Sequence, residues 1–319
     1  MKILSKKNTA KREPYDPVKH GVSQTLLSTW MECREKVRIK YVKGLKPDSK
    51  RAFIQGSSYH DMLEYVYTKI MLGEITGPKG AKRVVLDHIE NLEKKEAKVG
   101  RMSEELQQSF DFGSVLIPAY FRHYKNDFNI LWRDVEEEFS IPIKMADGTI
   151  IPLKGKTDGG FMMKKESYYV LESKFKAFWG KDYSDLVILD LQVATYTAAM
   201  MHKGHPVKGC RYNLVRKPAL RRGKTETRRA FIDRVAADIE KRPETYFERH
   251  DVPFDKSELD ANWRRVNHMV RSFYDWWKSG DHKEQDPLFN SGACENKYGR
   301  CEYIDFCARG DVGKYTLRH

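Results

Sequence analysis

No apolar run in this chain of 319 residues reaches the roughly 20 residues that a membrane-spanning helix requires. The first twenty residues, MKILSKKNTAKREPYDPVKH, lack the apolar core of a secretory signal. These two absences point to a cytoplasmic protein. Cysteine is scarce, at five residues, which in a reducing compartment argues against a disulfide framework. The P-loop pattern GxxxxGK[ST] is missing as well, so a nucleotide-driven motor of that kind is excluded. Nor is there an acidic excess. Lys and Arg number 58 against 45 Asp and Glu, giving a net charge of +13, which suits a polyanionic partner.

The chain is nonetheless rich enough to fold, with 40% hydrophobic and 12% aromatic residues, and long enough for one large domain or two. Residues 1–20 are basic and aperiodic and read as an arm. Apolar positions at three-to-four spacing predict helices over 23–42, 56–71, 79–98 and 103–125. The pattern then changes to alternation. A strand over 135–143 leads to the Asp147-Gly148 turn, and a return strand from Ile150 runs into GKTDGG at 155–160. A helix over 184–202, a strand over 204–215, a helix over 231–240, a strand over 245–252 and a long helix over 259–278 complete the pattern. The fold class is α/β: a central mixed sheet flanked by helices, with helical insertions ahead of it.

The chemistry concentrates between Gly155 and Tyr196. In YYVLESK, Glu172 and Lys174 lie two apart on a strand and share a face. With 164–167 as a hairpin turn, antiparallel pairing brings Asp158 toward that face. Two carboxylates and a lysine can hold a hard divalent cation and orient a water. An isolated E-x-K strand is more often a solvated ion pair. Here Gln192 and Tyr196, spaced i and i+4 on the following helix, add polar groups to the same neighbourhood. Upstream, GSSYHDMLEYVY carries His60, a core histidine or an imidazole ligand, with Glu64 one turn on. The acidic run Glu136–Glu138 reads as the solvated side of a strand and is left out of the site.

The segment RKPALRRGKTETRR (216–229) offers Arg216, Lys217, Arg221, Arg222 and Lys224 for phosphate contact. Phe178 and Trp179 are candidates for stacking on bases. Near the end, Cys294, Cys301 and Cys307 are spaced C-x6-C-x5-C, and Cys33 near the start is the obvious fourth thiol. Four thiolates would close a tetrahedral metal site such as zinc, with free thiols as the alternative.

Taken in order, Gly155-x-x-Asp158, Glu172-x-Lys174 and Gln192-x-x-x-Tyr196, with His60 on an upstream helix, resemble the PD-(D/E)xK nuclease superfamily and within it the RecB-like branch. The resemblance implies a restriction-endonuclease-like fold over residues 21–319, mainly helical to 130, with an α/β catalytic core over 131–255 and a C-terminal helix and cysteine segment over 256–319. It implies a metal-dependent DNA nuclease, most often an exonuclease of recombination, repair or replication. His60, Asp158, Glu172 and the Ser173 carbonyl would hold Mg2+ or Mn2+, with Lys174, Gln192 and Tyr196 completing the catalytic set. One cysteine ahead of the core and three behind it is similar to AddB-type helicase-nucleases and CRISPR-adaptation exonucleases. That likeness implies a [4Fe–4S] cluster on Cys33, Cys294, Cys301 and Cys307, although the family spacing of the last three is C-x2-C-x5-C. DNA is the implied partner, and a helicase or a single-strand-binding or annealing protein would supply any unwinding. A non-catalytic DNA-binding accessory is the alternative.

Overall fold

The computed structural model describes residues 13–317 apart from 48–50, 179, 181–182, 285–289 and 297–298. Most of the expected arm, residues 1–12, and Trp179 therefore lie outside the described residues. The chain divides into two compact units. One takes the segments up to Ser49, Phe139–Gly155 and from Trp263 onward, and the other takes Lys50–Glu138 and Lys156–Asn262.

The second, larger unit is built on a five-stranded sheet. Its strands β1 (Leu131–Val135), β2 (Gly159–Lys164), β3 (Ser167–Lys176), β4 (Val207–Arg216) and β5 (Phe247–Pro253) lie side by side in sequence order. All neighbours are antiparallel except β3 and β4, which are parallel. A parallel neighbour needs a crossover, and two helices supply it, α4 (Tyr183–Leu189) and α5 (Leu191–His202). Ahead of the sheet come α1 (Arg51–Met71), α2 (Pro78–Lys98) and α3 (Glu104–His123), and α6 (Arg228–Lys241) follows β4. Helix α3 starts where it does because Ser103 Oγ accepts from Leu106 N at 3.2 Å and two glutamates fill the first turn.

The core joins Met62, Leu63 and Val66 of α1 and Phe110, Leu116 and Phe121 of α3 to Phe161, Leu171 and Val215 of the sheet. Gly113 allows the two helices to approach, since a Cβ there would lie 2.1 Å from Met62 Sδ. At the floor of this core Asp127, which has no exposed surface, accepts from Tyr67 Oη (2.8 Å) and from Arg249 Nη1 (2.7 Å) and Nη2 (2.8 Å). Such a buried charge is tolerable because its partners are guanidinium and hydroxyl donors; removing one side of a buried pair typically costs about 3–5 kcal/mol.

In the smaller unit a three-stranded sheet pairs Val22–Ser23 in parallel with Ile150–Lys156, which neighbours Glu138–Lys144. Tyr15, within the expected arm, is packed here: its ring meets Trp277 edge-on at 5.4 Å and its hydroxyl donates to the Gly21 carbonyl at 2.7 Å. A second small core gathers Ile39, Leu45, Tyr303 and Tyr315. It is tied by the antiparallel pairing of Leu45–Pro47 with Tyr315–Leu317.

Three expected elements are broken. The strand over 135–143 ends at Val135 and restarts at Glu138, where the chain passes from the larger unit to the smaller. The helix over 23–42 stops at Glu32, leaves Cys33 extended, and resumes as Arg34–Val37 and a π-helical turn, Arg38–Val42. The helix over 184–202 is interrupted at Asp190. In each case the apolar spacing continues through a backbone break that periodicity does not register. Among the described residues, no helix is long and apolar enough to cross a membrane.

Candidate active site

Asp158 reaches the site through register. Gly159 at the head of β2 pairs with Leu171, so Asp158 stands opposite Glu172, and its Oδ2 accepts from Ser173 N at 2.7 Å. The second glycine of the motif is equally constrained. A Cβ on Gly160 would lie 1.7 Å from the Tyr168 hydroxyl, which donates to Asp134 Oδ2 at 2.7 Å.

Strand alternation turns Leu171 into the core beneath the helices and Glu172 with Lys174 the other way, toward α5. Glu172 has no exposed surface. The Lys174 ammonium pairs with its Oε1, yet neither carboxylate oxygen receives an aligned hydrogen bond. Lys174 Nζ also donates to Gln192 Oε1 at 2.5 Å, and Gln192 Nε2 donates to Tyr196 Oη at 2.8 Å. Asp190 fixes that chain by capping α5, accepting from Gln192 N at 2.7 Å and Val193 N at 3.4 Å.

His60 comes from α1, with Nδ1 3.6 Å from Asp158 Oδ2. Burial holds its pKa below the ordinary value against the pull of Glu172, which favours the neutral, ligating imidazole. Burial also raises Asp158 and Glu172 well above the carboxylate range, opposed only in part by the Ser173 N–H at Asp158 and by the Lys174 ammonium at both. Burial works against the Lys174 ammonium too, but Glu172, Asp190 and Asp158 more than offset it and carry the group up to about 12. The site thus holds carboxyls that resist ionisation until a cation arrives.

Glu136 is the residue that the sequence reading set aside. Its carboxylate lies with His60 and Asp158, and one ligand atom from each falls within 4.8 Å of the others. Continuous alternation through 135–143 would turn it out to solvent; the break after β1 changes its direction. Glu64, the other supplement considered on α1, instead faces Lys156, with 3.7 Å between Oε2 and Nζ.

A buried Glu172 carboxylate with no aligned hydrogen-bond donor and only the Lys174 ion pair, beside Asp158 and a His60 whose pKa burial lowers, fits a hard divalent cation, which takes carboxylate oxygen readily and tolerates imidazole. Ser173 is committed through its N–H to Asp158, and its Oγ accepts from Asn213 Nδ2 at 3.4 Å.

Where β3 ends, a groove of about 860 Å3 opens between α3 and the segment after β4. Lys217, Arg221, Arg222 and Lys224 line it, together with Ala177 and Arg228. One backbone and one side-chain contact hold this rim to the end of β3: Lys217 N donates to Lys176 O at 2.8 Å, and Arg216 Nε to Ala177 O at 3.2 Å. Phe178 is 62% exposed.

In the smaller unit Cys33, Cys294, Cys301 and Cys307 line a single small pocket. Cys33 reaches it because the helix opens there. Cys294 and Cys301 are joined by a backbone bond of 2.8 Å, and Tyr303 N points at Cys301 Sγ from 3.5 Å. Burial raises the Cys301 and Cys307 thiols, Cys307 to about 12. Cys210 is buried in the larger unit, as a plain core residue would be.

The crystal structure of a "Putative exonuclease" from Eubacterium rectale is similar at 14% identity, covering 100% of this chain and 97% of that one, with a TM-score of 0.46. No curated protein matches. The family model of the PD-(D/E)XK nuclease superfamily matches residues 21–308. With nine-tenths of the sequence inside that match, and a mixed sheet flanked by helices beneath it, the chain belongs to the PD-(D/E)XK nuclease superfamily.

Proposed function

We propose that this chain is a Mg2+- or Mn2+-dependent deoxyribonuclease that degrades DNA from its ends, in recombination, repair or replication. The observation that carries the reading is the Glu172 carboxylate, buried without an aligned donor between Asp158 and Lys174. His60, Asp158, Glu172 and the Ser173 carbonyl would hold the cation. Bound there, it supplies Lewis acidity toward the phosphate and lowers the pKa of an attacking water.

The protein's own groups do the positioning. Lys174, beside Glu172 and donating to Gln192, would orient the water and offset charge building on the phosphoryl oxygens. Gln192 restrains Lys174, and Tyr196 restrains Gln192. The groove beyond β3, with Lys217, Arg221, Arg222 and Lys224, supports a path for the DNA backbone that leads from the reacting phosphate. The chain lacks a P-loop, so a helicase or a single-strand-binding or annealing protein would present the end. The cysteine pocket supports a structural [4Fe–4S] cluster on Cys33, Cys294, Cys301 and Cys307.

The test uses anaerobically purified protein with end-labelled linear and circular DNA, single- and double-stranded, in Mg2+, Mn2+ or EDTA. Metal-dependent loss of linear DNA with circles spared, abolished in Glu172→Ala and Lys174→Ala, is the expected result. Cutting of circles would make it an endonuclease. Binding without any cleavage would leave a DNA-binding accessory on a nuclease fold.

A further inference from the structure

The sheet face turned away from Glu172 packs Leu171, Val215 and Phe247 into the core beneath the helices, yet a polar row crosses it. Register sets Ser173 of β3 beside Asn213 of β4, and Asn213 beside Arg249 of β5. Ser173 is 1% exposed and Asn213 has no exposed surface. The hydrogen bonds along this row run one way. Arg249 carries only donors, so the Asn213 amide turns its oxygen to it, and Arg249 Nε donates to Asn213 Oδ1 at 2.7 Å. The amide nitrogen is left to face β3, where Nδ2 donates to Ser173 Oγ at 3.4 Å. Arg249 is itself fixed. Its Nη1 and Nη2 donate to the two oxygens of Asp127, Nη2 also donates to Tyr120 Oη at 2.9 Å, and the guanidinium lies 3.6 Å from the Tyr124 ring centroid. Stability alone does not account for such a row, since a buried ion pair can often be replaced by packed apolar side chains without loss. Its end point offers a better reason: Ser173 stands between Glu172 and Lys174, and its N–H donates to Asp158.

We propose that Asn213 and Arg249 are positioning residues for the active site. Anchored on Asp127, they fix Ser173 from the core side, and with it the aim of the Glu172 carboxylate and the Ser173 carbonyl at the cation. The inference rests on the nuclease reading of this site. Asp158 holds the Ser173 N–H and Asn213 holds its hydroxyl, so the segment between the two charged side chains shifts only by giving up one of these bonds. Neither Asn213 nor Arg249 needs to touch the cation or the DNA. Outer groups that orient ligands in this way typically set metal affinity or activity by about 10- to 100-fold. The row also ties the site to groups far off in sequence: Asp127, at its far end, accepts from Tyr67 Oη of α1 at 2.8 Å.

The Mn2+ affinity of the full-length protein, read from the loss of the free aqua-ion signal in electron paramagnetic resonance, tests this without relying on activity. Ser173→Ala and Asn213→Leu should each weaken Mn2+ binding about tenfold. The double variant should be no weaker than the worse of the two, because both cut the same link. Arg249→Lys, which keeps the charge but loses the fork, should weaken it as well. Asp251→Asn is the control. It disturbs the neighbouring row, where Arg211 Nε and Nη2 donate to Asp251 at 2.7 and 2.9 Å, and leaves Ser173, Asn213 and Arg249 in place. It should lower the Tm and leave Mn2+ affinity unchanged. Wild-type affinity in Ser173→Ala (the smallest change, and decisive even where Asn213→Leu does not fold), additive losses in the double variant, or an equal loss in Asp251→Asn would each overturn the proposal. If only Glu172→Gln weakens Mn2+ binding, the nuclease reading stands and this one falls; a wild type that binds no Mn2+ sinks both.

Discussion

Glu172 governs how the metal-free protein responds to pH. Burial moves Asp158 from an ordinary 3.8 up to about 7 and Glu172 from 4.5 up to about 8. The folded site thus retains protons that the unfolded chain has already released. Its contribution to stability is complete below about pH 4 and is lost as pH rises through 7 to 8. The sign reverses with a cation, which replaces the protons and gains affinity as they leave. In EDTA the stability of the wild type should decline from pH 5 to pH 8, seen as a fall in Tm of roughly several degrees. Glu172→Gln, neutral throughout, should decline much less, and added Mg2+ should flatten the wild-type curve. Parallel curves for the two proteins in EDTA would refute this account. Asp158, Glu172 and Lys174 were legible in the sequence because a tight hairpin fixes their register over a short span. Glu136 and Asp127 were not: one owes its direction to a left-handed backbone that glutamate does not announce, the other to guanidiniums more than eighty positions away.

At the scale of elements, a single capping residue connects the break in a helix to the site. Asp190 ends α4, starts α5 and accepts from the backbone of Gln192, the residue whose side chain restrains Lys174. Asp190→Ala should cost about 1 kcal/mol of stability, the usual loss for an N-cap, seen as a fall in Tm of a few degrees. The turnover rate should fall further than that stability loss explains, with KM changed less, because Gln192 and Lys174 lose their fixed orientation. Asp190→Asn, which keeps a capping oxygen, should restore the Tm. An Asp190→Ala protein that melts and turns over like the wild type would show that the cap is incidental. Sequence periodicity ran straight through this break, as it did through the one at Cys33, since both flanks keep their apolar spacing. Strand order was recoverable in part. The β2–β3 hairpin follows from its turn, whereas the parallel β3–β4 pair depends on a crossover whose helices had been read as one.

On the scale of the whole molecule, the sequence suggested a single domain behind an arm, and the two compact units are stitched from segments that return after long detours. The cysteines show what such a path can do. Cys33 and the trio from Cys294 to Cys307 belong to opposite ends of the chain and line one pocket, reinforced by Asn290 Nδ2 donating to Glu32 O at 3.0 Å and by Lys36 with Glu302 at 3.4 Å. Their local hydrophobic core is small, so a cluster ligated there would replace packing as the main restraint on those segments, and it would hold as thiolates the thiols that burial otherwise keeps protonated. Anaerobically purified protein should then carry iron and acid-labile sulfide in equal amounts, about four of each per chain, with broad visible absorbance. Cys33→Ser and Cys301→Ser should lose most of that iron, and limited proteolysis should then cut first within the segments around Leu45–Pro47 and Tyr315–Leu317. Cys210→Ser, altered only in the core of the larger unit, should keep its iron and serves as the control. Stoichiometric zinc without sulfide would make the site a tetrahedral thiolate one. Iron retained by Cys33→Ser would remove the N-terminal segment from the ligand set, and with it the reason for Cys33 to leave the helix.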